Sequence, residues 1–143
     1  MSTLAELGEA KLLQRLALFA PSGQLDDDTA CLAPDPRSLI VNTDVLVDGI
    51  HFSDNTTSAE DAGWRAVAAN LSDLAASGVT SVDGITVGLV APGDTRWDWV
   101  EGVYGGISSA LNQFGGVLLG GDCSAGTNRL LAITALGRLG PLQ

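Results

Sequence analysis

Leu39-Ile40-Val41-Asn42-Thr43-Asp44-Val45-Leu46-Val47 is an apolar run with three polar residues at its centre. In an extended chain, alternation sends Leu39, Val41, Thr43 and Val45 to one face and Ile40, Asn42, Asp44 and Leu46 to the other. Two polar side chains on one face of an apolar strand read as the rim of a site. Upstream, residues 3–19 form a Leu- and Ala-rich helix pattern with Glu6 and Glu9 early and Arg15 late, the sense the helix dipole favours. Pro21-Ser22-Gly23 closes it. A short strand is expected over Ala30–Ala33, and Pro34-Asp35-Pro36-Arg37 turns into the long one.

Downstream, Ser58-Ala59-Glu60-Asp61 is a capping box that opens a helix from Ala59 to Ser77, stopped by Gly78. Its core stripe is Trp64, Val67, Leu71 and Leu74, with Asn70 and Asp73 as neighbours on an adjacent flank. A strand over Val82–Val90 follows. Thr95-Arg96-Trp97-Asp98 reads as a second capping box, starting a helix to about Phe114. Val117–Leu119 and Leu130–Leu136 are the last strands. The latter is apolar on both faces, so a covering helix or partner subunit is expected on each side. The order α-β-β-α-β-α-β-β predicts an α+β fold, a mixed β-sheet with helices packed against it, as one domain over residues 1–143.

Composition narrows the function classes. The 45% hydrophobic and 17% charged content and 18 glycines describe a packed domain with tight turns. A net charge of −10 disfavours nucleic acid and anionic membranes, which select basic surfaces. Leu12–Ala20, interrupted by Gln14 and Arg15, is far too short to span a bilayer. The N-terminus lacks the basic region of a signal peptide, and Cys31 and Cys123 are isolated thiols, so a cytoplasmic location is expected.

Four aspartates sit in apolar settings. Asp28 precedes Thr29-Ala30-Cys31-Leu32. Asp44 lies inside its strand, and Asp73 inside Asn70-Leu71-Ser72-Asp73-Leu74-Ala75-Ala76. Asp122 follows the glycine pair of Val117-Leu118-Leu119-Gly120-Gly121, just past the expected end of a strand. Seven Lys plus Arg face seventeen Asp plus Glu, so converging carboxylates would call for a hard divalent cation bound through oxygen. Taken singly, Asp73 also reads as a solvated flank residue, Asp28 as part of an acidic turn and Asp122 as a turn-former. There is no phosphate-loop lysine motif, no G-x-S-x-G elbow and no Cys/His zinc spacing, and His51 is the sole histidine. Acid–base hydrolysis is poorly supported; a magnesium-assisted reaction of phosphates suits these residues better.

Asp27-Asp28-Thr29-Ala30-Cys31-Leu32, Asn42-Thr43-Asp44 through Asp48-Gly49-Ile50-His51-Phe52, Asn70-Leu71-Ser72-Asp73-Leu74-Ala75-Ala76 and Leu119-Gly120-Gly121-Asp122 occur in that order. Together they closely resemble the thiamine-monophosphate kinase family, of the aminoimidazole-ribonucleotide-synthetase superfamily. The resemblance covers nearly the whole chain and only the N-terminal half of the family. It implies ATP-dependent transfer of phosphate to thiamine monophosphate, giving thiamine diphosphate, with several Mg²⁺ ions between the anions. It also implies a homodimer, and a second domain that supplies further contacts. The 143 residues alone are accordingly expected to be inactive. By the same resemblance, Asp28, Thr43, Asp44, Asp73 and Asp122 are magnesium ligands or their supports, Tyr104, Gly121 and Asp122 contact the nucleotide, and His51 contacts the substrate. Read without the family, Tyr104 is equally a packing residue beside Val103 and Ile107, and His51 a surface residue. The chain departs from the family at Asp26, where glycine is usual, at Asn42, where serine is usual, and at Cys123, where threonine is usual. A noncatalytic dimerisation or metal–nucleotide-binding remnant of the superfamily is the alternative.

Overall fold

The computed structural model describes residues 2–25 and 29–140. These form helix α1 (Leu4–Leu16) with a short 3-10 turn at Ala17–Phe19, strand β1 (Leu39–Val47), helix α2 (Ala59–Ala76), strand β2 (Val79–Ala91), helix α3 (Trp97–Phe114) and strands β3 (Val117–Ala125) and β4 (Leu130–Leu139). The four strands make one sheet in the order β1-β4-β2-β3. β4 is antiparallel to both neighbours, while β2 and β3 are parallel. Helix α3 supplies the crossover that a parallel pair requires. The fold is α+β with a mixed sheet.

Alternation in each strand separates two faces. Ile85, Val87 and Leu89 of β2 and Leu131, Ile133 and Ala135 of β4 are almost fully buried, in one core with Val67, Leu71 and Leu74 of α2 and Val100, Val103 and Ile107 of α3. Both long helices thus cover the same side of the sheet. They approach each other closely because Gly63 and Gly106 lack side chains: a Cβ on Gly106 would collide with the Glu60 carbonyl, and one on Gly63 with that of Val103. Among the described residues, none covers the opposite sheet face. Leu39, Val41 and Val45 of β1 lie exposed on it, so β4 is covered on its helix side only.

Several local expectations need correction. Residues 30–33 form no strand; all but Leu32 are exposed, and a short segment without a ladder or a core contact has nothing to hold it extended. Thr95 does not cap α3. Arg96 occupies the cap position without a side-chain bond, and the Trp97 N–H instead donates to the Ser2 carbonyl, where the chain start bridges Thr3 to Arg96. α1 is interrupted at Gly8, which has φ 75° and ψ 164°. The Ser58 cap does form, its hydroxyl accepting from the Asp61 N–H at 3.1 Å.

β3 does not stop at its glycine pair. Gly120, Gly121 and Asp122 continue the ladder opposite Thr86, Val87 and Gly88, after a bulge that skips Leu119. A side chain at Gly121 would strike the Val87 backbone, so this glycine permits a close strand approach where the sequence suggested a stop. Asp122 therefore lies within the edge strand.

Candidate functional site: a polar cluster under β1 and a cavity at β3

Asn42 and Asp44 occupy the helix-facing side of β1, as alternation requires, and both are half-buried. The Asn42 amide donates from Nδ2 to Asn70 Oδ1 at 2.7 Å and to Asp73 Oδ2 at 3.2 Å. Asn70 is fully buried and donates from its own Nδ2 to the Ile133 carbonyl at 2.7 Å. Ile133 is the ladder partner of Asp44. One hydrogen-bonded group therefore ties β1, β4 and α2 together and brings Asp44 and Asp73 to the same side of the sheet. Asn70 is a correction to the sequence reading: it is a core residue, and only Asp73 remains on the exposed flank. Thr43 points to the other face, its hydroxyl 2.8 Å from that of Thr134.

At the far edge, a cavity of about 340 Å³ opens between α1, α3 and β3, lined by Glu9, Leu16, Tyr104, Gly121, Asp122 and Cys123 among others. Tyr104 is 3% exposed and packs against Phe19 with ring centroids 5.7 Å apart. Burial pushes its hydroxyl pKa well up, with a lesser contribution from Cys123. The Cys123 thiol is pushed up to about 11, first by burial and then by the charges of Asp122 and Glu9. Asp122 is exposed and accepts a hydrogen bond from Ser124 Oγ at 3.2 Å.

His51 lies in the turn after β1. Its Nδ1 accepts the Val47 N–H at 2.9 Å, which assigns the ring proton to Nε2, on the side away from the backbone. The site candidates thus fall into separate groups. Register runs from Asp44 through Ile133 and Val87 to Gly121, so β1 and β3 stand three strand spacings apart, about 14 Å. Among the described residues, no three His, Cys, Asp or Glu side chains gather closely enough to hold a metal alone. Asp28 lies outside the described residues.

Ion pairing sorts the aspartates. Asp35, Asp48, Asp54, Asp83 and Asp98 each meet an arginine. Among the described residues, Asp44, Asp61, Asp73, Asp94 and Asp122 meet none; Asp61 lies in the first turn of α2 and Asp94 in the turn before α3, which leaves Asp44, Asp73 and Asp122 as the site candidates. The donors beside them, carboxylates, an amide and hydroxyls, are hard oxygen groups of the kind magnesium accepts, one or two carboxylates at a time with water and phosphate completing the shell.

Residues 26–139 match the family model described as AIR synthase related protein, N-terminal domain. The chain belongs to this family. It is 58% identical over 140 residues to the thiamine-monophosphate kinase of Prochlorococcus marinus, covering 98% of this chain and 42% of the relative. It is 49% identical to that of Synechococcus elongatus, covering 97% and 42%. Among solved structures, AaThiL complexed with AMPPCP and TMP superimposes with a TM-score of 0.68 at 29% identity, over 96% of this chain and 44% of that one. The chain thus spans less than half the length of the relatives it matches.

Within this AIR-synthase-related domain, three residues take roles that the sequence does not assign them. Glu9 and Cys123 line the β3 cavity, and Arg129 pins the turn that carries His51 through two ion pairs. Arg129 had one available signal, as one of only two basic residues after Arg96 in an acidic chain. Cys123 is marked in the sequence only as a departure beside Asp122, and nothing local marks Glu9, because the cavity is assembled from α1, α3 and β3.

Proposed function

We propose that this chain is the magnesium- and ATP-binding N-terminal domain of a thiamine-monophosphate kinase. In this reading the γ-phosphate of ATP passes directly to the phosphate of thiamine monophosphate, giving thiamine diphosphate. The observation that carries the reading is the 58% identity to a thiamine-monophosphate kinase over nearly the whole chain. The chemistry of the residues supports it. A phosphate monoester has a second pKa of about 6, so the acceptor is largely dianionic at neutral pH and needs no general base. The obstacle is repulsion between two polyanions, which is overcome by positioning and cations. Asp44, Asp73 and Asp122, with Thr43 and Asp28, would hold several Mg²⁺ ions, which supply the positive charge between donor and acceptor phosphates. Tyr104, Gly121 and Asp122 would line the nucleotide site at the β3 cavity. His51 would meet the substrate through its Nε2–H.

A homodimer belongs to the same proposal, its support being the apolar side chains of Leu39, Val41 and Val45 on the uncovered sheet face. Among the described residues no helix is long and apolar enough to cross a membrane, and a cytoplasmic location accompanies the reading. The test supplies the chain with the C-terminal half of the Prochlorococcus relative, together with Mg-ATP and thiamine monophosphate. Thiamine diphosphate should form, and Asp73→Asn should abolish it. A folded pair that makes no product would favour a noncatalytic domain.

A further inference from the structure

We propose that Arg129 is a positioning residue for His51, clamping the 48–54 turn so that the imidazole presents Nε2–H outward; its bearing on catalysis rests on the substrate role given to His51 above. The β1–β4 ladder ends at Val47 opposite Leu130, so the turn beyond it needs another anchor. Inside the turn, the His51 and Ile50 N–H groups donate to the Val47 carbonyl at 2.9 and 3.1 Å, and that of Gly49 to the Phe52 carbonyl at 2.7 Å. These bonds shape the turn without attaching it to the domain.

Arg129 makes the attachment. Its carbonyl accepts the Asp48 N–H at 3.0 Å. Its guanidinium donates from Nε to Asp48 Oδ2 at 2.8 Å and from Nη2 to Asp54 Oδ1 at 3.0 Å, so one planar fork holds both ends of the segment that contains His51. The cation rests 4.4 Å from the Trp99 ring centroid and 5.7 Å from that of buried Phe52, and the two rings stack at 6.0 Å. The turn is thereby fixed to the start of α3. Only 13% of the Arg129 side chain is exposed, against 72% for Asp54. A lysine could keep the charge but not the two-ended fork or the flat stack. With the clamp loosened, the bond from Val47 N–H to His51 Nδ1 loses its fixed geometry, and the ring is free to exchange tautomers.

The readout is the pair of imidazole nitrogen shifts of His51 in the ¹⁵N-labelled 143-residue chain at neutral pH. The unsubstituted chain should show one tautomer, protonated at Nε2. Arg129→Lys, and separately Asp54→Asn, should move both shifts toward a tautomer mixture while the far-UV spectrum is retained. Asp54 is exposed enough that its substitution keeps the test open if Arg129→Lys fails to fold. A folded variant with unshifted His51 nitrogens overturns the clamp. In the reconstituted kinase assay, Arg129→Lys should raise the KM for thiamine monophosphate roughly fivefold and leave that for ATP unchanged. If His51→Ala leaves the thiamine monophosphate KM unchanged, the substrate role of His51 falls, and the tautomer shifts still decide the clamp.

Discussion

At the scale of single residues, Asn70 is the side chain whose loss should be felt most. It is buried, it accepts from Asn42 and it donates to the Ile133 carbonyl. Asn70→Leu would strip both partners of a buried bond, at a cost of about 2–3 kcal/mol. Urea unfolding should show a lower midpoint at unchanged slope; an unchanged midpoint would mean water replaces the amide at no cost. Cys123 gives the pH dependence. Its folded pKa of about 11 lies above the ordinary 9.0, so its stabilising effect is complete below about pH 9 and fades as pH rises through about 11. Melting temperature should fall over that alkaline window, and less steeply in Cys123→Ala; an identical alkaline limb would contradict the burial argument. The sequence marked Asp44, Asp73 and Asp122 as acids beside apolar runs; in the structure Asp44 is half-buried, and Asp73 and Asp122 are exposed. The burial of Asn70 was not legible, because its partners come from strands distant in sequence. The departure at Asn42 also gains meaning only in three dimensions: an amide offers two N–H donors, one each for Asn70 and Asp73, where a serine hydroxyl offers one.

At the scale of elements, alternation and capping located β1, α2 and the end of α3 well, because those signals are local. The misses occurred where another element decides. β3 passes through Gly120 and Gly121 because β2 pairs with it there. The start of α3 is satisfied by the Ser2 carbonyl and not by Thr95. The α2–α3 contact yields a paired prediction on adjacent glycines. Gly106→Ala places a methyl group against the Glu60 carbonyl and should destabilise by about 1–3 kcal/mol. Gly105→Ala meets nothing within 4 Å and should stabilise by about 0.5–1 kcal/mol through helix propensity. Thermal melts of both check this, and equal shifts would show that the helices do not meet as closely as described.

For the whole molecule, the sequence carried the fold class and the family, while the spread of the candidate site over two edges of a sheet was beyond it. The uncovered sheet face predicts self-association. Sedimentation at micromolar concentration should give twice the 14.6 kDa chain mass, and Val41→Glu should return it to the monomer, since burying an unpaired charge in an apolar contact is costly. A monomer in the unsubstituted chain would leave the face as plain solvent-exposed surface. The central claim is that the charge of Asp44, Asp73 and Asp122 is balanced by magnesium, whose shell the phosphates of a nucleotide complete. Removing one negative charge from the side of the sheet that Asp44 and Asp73 share should stabilise the metal-free fold and weaken the response to the metal. Thermal melting of the chain with and without Mg²⁺ and AMPPCP, beside Asp44→Asn and Asp73→Asn, tests it most directly. The account predicts a clear rise for the unsubstituted chain, and variants that start higher yet rise less. A flat response to Mg²⁺ and AMPPCP together, or variants that respond as fully as the unsubstituted chain, would contradict it.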